Sequence, residues 1–110
     1  MTQSSDRTDG WVAPEIIRAA FNEGRFFERL LEGELHYRMR QNPLHLSRRL
    51  ARARGEPRCT WSQILSYLNS TGVQTAIVHQ YRRRDGTIGA SGRPDPKWLR
   101  LDDGRIIWTN

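Results

Sequence analysis

The chain has 110 residues, 36% of them hydrophobic, with 18 Lys and Arg against 12 Asp and Glu, three His and a single Cys. That length fits one domain with a modest core and leaves little room for a large enclosed active site. No apolar run approaches the roughly 18 residues of a membrane span, no charged start leads into an apolar signal region, and Cys59 has no partner for an internal disulfide. The expectation is a soluble cytoplasmic protein.

In chain order, the polar, aperiodic residues 1–10 read as a flexible tail ahead of a single domain over 11–110. Pro14 and Glu15 suit a helix start, and Ile16, Ile17, Ala20 and Phe21 carry an apolar stripe that Gly24 ends. A second helix is predicted from Phe26 to about Gln41, with Phe26, Phe27, Leu30, Leu31, Leu35 and Met39 on its apolar side. Gly33 either allows close packing within it or splits it, and Asn42-Pro43 closes it. Leu44 to Arg54 reads as a short basic helix with Leu46, Leu50 and Ala53 on one side. Thr60-Trp61-Ser62-Gln63 matches a capping box, which predicts a helix running to Ser70 or Thr71 with Gly72 as its stop.

From Val73 the period changes to two. Val73, Thr75, Ile77, His79 and Tyr81 alternate with Gln74, Ala76, Val78, Gln80 and Arg82, a strand pattern. Asp85-Gly86 predicts a hairpin turn with a short return at Thr87-Ile88, residues 89–96 a loop, and 97–101 and 105–108 two strands joined at Asp102-Asp103-Gly104. The predicted fold is therefore α+β: three or four N-terminal helices packed on a small antiparallel β-meander. Trp61, Ile64, Leu65, Leu68, Ile77, Leu99, Leu101 and Ile107 are the expected core.

Charge is unevenly placed. Residues 1–37 sum to −3, 38–58 to +6, 59–81 carry no Asp, Glu, Lys or Arg, 82–100 sum to +4, and the last ten to −1. Seventeen of the 18 basic residues are arginine, which suits bidentate phosphate contact, although a GC-rich genome yields the same bias. Two basic blocks behind an acidic third predict a small accessory or interaction protein that meets nucleic acid or another polyanion through an arginine-rich surface. The residues expected to make that contact are Arg48, Arg49, Arg52, Arg82, Arg83, Arg84 and Arg93. Tyr81, Trp98, Arg100 and Trp108 add stacking groups to the sheet half, but Trp98 and Trp108 are expected to pack beneath the helices.

Two alternatives stand beside this reading. A small metal-independent RNA-cleaving toxin would need a base near neutral pH and cations at the phosphate, a role for His79 with Arg93 and Lys97. A subunit of a larger complex would turn the basic face to an acidic protein partner. Metal binding has no support in spacing, since His-x-x-x-His, Cys-x-x-Cys and Glu-x-x-His are all missing, and no cofactor is expected. The loop Gly89 to Lys97 is open to two readings: a backbone nest for an anion, helped by Arg93 and Lys97, or a stiff corner between strands.

The run from His79-Gln80-Tyr81-Arg82 through Asp85-Gly86-Thr87, Gly89-Ala90-Ser91-Gly92 and Pro94-Asp95-Pro96-Lys97 resembles a segment near the C-terminus of a group of small bacterial proteins. The resemblance covers about a fifth of the chain. It implies a bacterial origin and a recurring strand–loop–strand unit, and it implies no activity.

Overall fold

The computed structural model describes residues 9–43, 55–56 and 59–110. Its elements are β1 (Gly10–Trp11), α1 (Pro14–Glu23), α2 (Phe26–Leu31), β2 (His36–Pro43), β3 (Trp61–Leu68), β4 (Gln74–Arg82), β5 (Asp95–Arg100) and β6 (Ile106–Trp108). The strands form one sheet in the order β1-β6-β5-β4-β3-β2. β2 to β6 are an antiparallel meander, and β1 returns to pair in parallel with β6. Gly10, read as the end of the tail, is the first residue of this sheet.

The architecture corrects the expected one. Only two short helices occur among the described residues, and the sheet dominates. The helix predicted over 26–41 stops at Leu31. Gly33 then takes φ +86, a left-handed conformation that splits the segment. From His36 the chain is extended. Leu35 and Met39 are four apart, a spacing that falls on one face of a helix and equally on one face of a strand, so it could not discriminate.

The predicted helix after Thr60 is β3 instead. Trp61, Gln63, Leu65 and Tyr67 alternate with Ser62, Ile64, Ser66 and Leu68, and pairing on both sides overrides the local capping signal. Gln63 does not reach back to Thr60; it bonds Gln41 and Gln80 across the strands. Gly72 is not a helix stop but lies in the β3–β4 turn, where the Asn69 Oδ1 accepts the N–H groups of Thr71 and Val73. The helix read over 44–54 lies outside the described residues.

α1 forms as its sequence suggests, with Pro14 in the first turn and Ile17 and Phe21 buried four apart. Gly24 caps it for lack of space: a Cβ there would lie 2.5 Å from the Phe26 ring. Phe21 stacks on Phe26 at 5.7 Å between ring centroids and leans on Tyr67 at 6.1 Å. These side chains, with Leu65, Ala76, Val78, Leu99 and Ile107, bury one face of the sheet beneath both helices. Of the expected core residues, Leu65, Leu99 and Ile107 are buried and Leu101 packs at the margin. Ile64 is 39% exposed, and Trp61, Leu68 and Ile77 are half-buried.

Candidate functional site

Behind the buried face the sheet has a second face against which, among the described residues, no helix packs. Register pairing sets Arg38, Ser66, Ile77, Trp98, Trp108 and Trp11 side by side, one from each strand. Their chain neighbours Leu65, Ala76, Val78, Leu99, Ile107 and Val12 pack into or against the core, which turns the row outward. Trp98 and Trp108 therefore do not pack beneath the helices; Trp108 is 40% exposed and Trp11 56%. With strands about 4.8 Å apart, three indoles occupy adjacent steps of the sheet. The Arg100 guanidinium lies 5.5 Å over the Trp98 ring, steadied by its bond to the Gln74 carbonyl at 3.1 Å.

A second row holds Arg40, Ile64 and His79. The His79 Nε2 is 2.9 Å from the Ser62 Oγ, and its ring meets Tyr81 edge-on at 4.7 Å. Arg38 and Arg40 are exposed, and among the described residues neither has an ion-pair partner. The helix-free face thus joins tryptophans at one end to arginines at the other.

The arginines predicted to bind are placed differently from one another. Arg48, Arg49 and Arg52 lie outside the described residues. Arg82 and Arg84 are exposed beside the Asp85-Gly86 turn. Arg83 is held by Glu56, Nε to Oε1 at 2.9 Å, and this bond raises its pKa further. Arg93 donates to the Asn22 Oδ1 at 3.2 Å and to the Glu28 Oε2 at 3.1 Å, and lies 5.3 Å over the Phe27 ring. Glu28 is held below its ordinary carboxylate value, first by its own backbone N–H and then by Arg93.

The loop at 89–96 carries an anion contact, and the anion belongs to the chain. The Glu56 Oε2 accepts the Ala90 N–H at 3.1 Å, while the Gly89 N–H goes to the Tyr81 carbonyl and the Gly92 N–H to the Gly89 carbonyl. Three of the donors that would make a nest are thereby used, so the loop works as a clamped corner.

A cleft of about 390 Å³ opens between α1, this loop, the end of β4 and the start of β5. His79 and Arg93 both line it, with Arg18, Tyr81, Ser91 and Asp95. Lys97 does not line it; its Nζ is bound to Asp95 at 3.0 Å and to the Asn110 carbonyl at 3.3 Å. His79 and Arg93 therefore border one cleft, but the His79 ring is turned to the helix-free face beside Ser62 while the Arg93 guanidinium is engaged by Asn22 and Glu28 on the helix side.

Trp11, Arg38 and Arg40 were missed from sequence. The signal was there in the alternation of Tyr37, Met39 and Gln41 with His36, Arg38 and Arg40, which reads equally as a strand. Among the described residues no three His, Cys, Asp or Glu side chains group to hold a metal, and no helix is long and apolar enough to cross a membrane. Comparison with protein families, curated proteins and solved structures finds no match for this chain.

Proposed function

We propose that this chain binds single-stranded nucleic acid on the helix-free face of its sheet. One observation carries the reading: Trp98, Trp108 and Trp11 stand in register on three adjacent strands, outward, with Arg100 over the first and Arg38 on the same row. Unpaired bases stack on such rings at about 1–3 kcal/mol each, while arginines draw the phosphates. A duplex hides its base faces and would gain only the charge term. Fluorescence anisotropy with labelled single-stranded RNA, single-stranded DNA and duplex DNA, at about 50 and 200 mM salt, tests it. Tighter, salt-sensitive binding of the single strands is expected. Equal or stronger duplex binding, or no binding at low salt, overturns it.

A second reading rests on His79, whose ring lies on this face beside Ser62 and Tyr81. RNA held across the sheet would bring a 2′-hydroxyl near a side chain able to take its proton. Running the RNA samples on a gel checks this. Cleavage abolished by His79→Ala, with the thermal midpoint retained, is the expected sign; cleavage that survives removes His79 from the mechanism. An acidic protein partner is the outcome to pursue if neither RNA nor DNA binds.

A further inference from the structure

Gln41, Gln63 and Gln80 are register partners on β2, β3 and β4, on the helix-bearing face but beyond the core packed beneath the helices. The Gln80 Nε2 donates to the Gln63 Oε1 and the Gln63 Nε2 to the Gln41 Oε1, both at 2.8 Å. Gln63 is 4% exposed and Gln80 7%. Buried amides are costly unless bonded, and a bonded amide chain polarises along its length. Here every step donates in one direction, so the exposed end of the chain is the Gln41 –NH₂ group with its donors outward.

That end opens into a cleft of about 450 Å³ lined by Gln41, Gln63, Trp61, Arg82 and Arg84. Glu56 engages Arg83, and among the described residues no carboxylate pairs with Arg82 or Arg84. The cleft therefore offers amide donors, two cations and an indole, a set that fits an oxyanion attached to a flat ring.

We infer that this cleft is a nucleotide site. Arg82 and Arg84 take the phosphate, Trp61 takes the base face, and the Gln41 amide donates to an acceptor on the base edge. It lies on the opposite face from the tryptophan row, so it extends the reading above and uses different residues. The nucleotide is either free or one residue of a strand that also runs over the sheet.

Isothermal titration of the full chain with 5′-AMP, inorganic phosphate and decauridylate separates these sources. Gln41→Leu and Arg84→Ala both alter exposed positions, and retained thermal midpoints confirm folding; Arg84→Ala alone suffices if Gln41→Leu does not fold. Arg84→Ala is expected to weaken binding at least about tenfold, the loss of a hydrogen bond to a charged group, and Gln41→Leu about fivefold, the loss of a neutral one. Weakening in the AMP arm identifies a free nucleotide. Weakening in the decauridylate arm alone identifies a residue of a strand. Affinities unchanged by both variants, no binding in either arm, or inorganic phosphate binding as tightly as AMP overturns the site. Trp108→Ala tests the sheet face separately: it should weaken decauridylate and leave AMP alone. AMP binding without strand binding would remove the sheet reading and keep this one.

Discussion

The carboxylate of Glu56 occupies the space a Cβ would need at Gly89. Its side chain is 2% exposed, is bonded to Arg83 and the Ala90 N–H, and draws the residues after the β4 hairpin onto the segment before β3.

Gly89→Ala should therefore displace a buried, bonded carboxylate. Overpacking of this kind costs about 1–3 kcal/mol, read as a lower urea midpoint. Glu56→Gln should also destabilise, because Arg83 loses its charge partner. A midpoint unchanged in Gly89→Ala would show that the loop is not clamped as described.

Trp98→Ala and Trp108→Ala should each weaken binding of single-stranded RNA by about 1–3 kcal/mol. Trp108 is 40% exposed, so its variant should keep the wild-type thermal midpoint to within a few degrees. Anisotropy titrations of the two variants check this. Undiminished affinity in both would exclude the row as a stacking platform.

Salt dependence separates two kinds of arginine. Arg38→Ala and Arg40→Ala should each lower the slope of log K against log salt by about 0.7, the value for one phosphate contact on a single strand. Arg93→Ala should leave that slope unchanged and lower the thermal midpoint, because Arg93 is engaged by Glu28 and Asn22. A reversed pattern would move the interface to the 89–96 loop.

Asp85 gives the hairpin a pH dependence. Its Oδ1 accepts the Thr87 hydroxyl at 2.7 Å and the Thr87 N–H at 2.9 Å, and these bonds lower its pKa from the ordinary 3.8. A depressed carboxylate contributes stability that is present above the ordinary value and lost as pH falls through the depressed one. Asp85→Asn should thus melt below wild type at pH 7, and the gap should close on acidification below about pH 4. A gap of constant size from pH 7 to pH 2.5 would exclude the charge as its source.

How much of this was readable in advance depends on the range of the interactions. α1, the Asp85-Gly86 turn and the last strand rest on local signals: a proline in the first turn, an Asp-Gly pair, a short β-branched run. β2 and β3 rest on each other. β2 has only Tyr37 and β3 only Trp61, Ile64 and Tyr67, none of them adjacent, against the Ile77-Val78 run with Thr75 and Tyr81 in β4, and Thr60 with Gln63 mimics a helix start. The glutamines that look like isolated polar residues become a ladder only once the register is known. The same holds for Trp11, which stands 97 residues from Trp108 in sequence and beside it in the sheet. The histidine and arginine of the cleft were singled out from sequence, but their neighbours Arg18 and Phe21 come from α1 and gave no sign of it.

The parallel pairing of β1 with β6 has a consequence for biosynthesis. During translation the β2–β5 meander can form as soon as its strands emerge, while Gly10 and Trp11 must wait for Ile107 and Trp108. The tryptophan row is thus assembled last. A nascent chain stalled before β6 would hold Trp98 in its sheet but not yet the Trp11–Trp108 pair beside it.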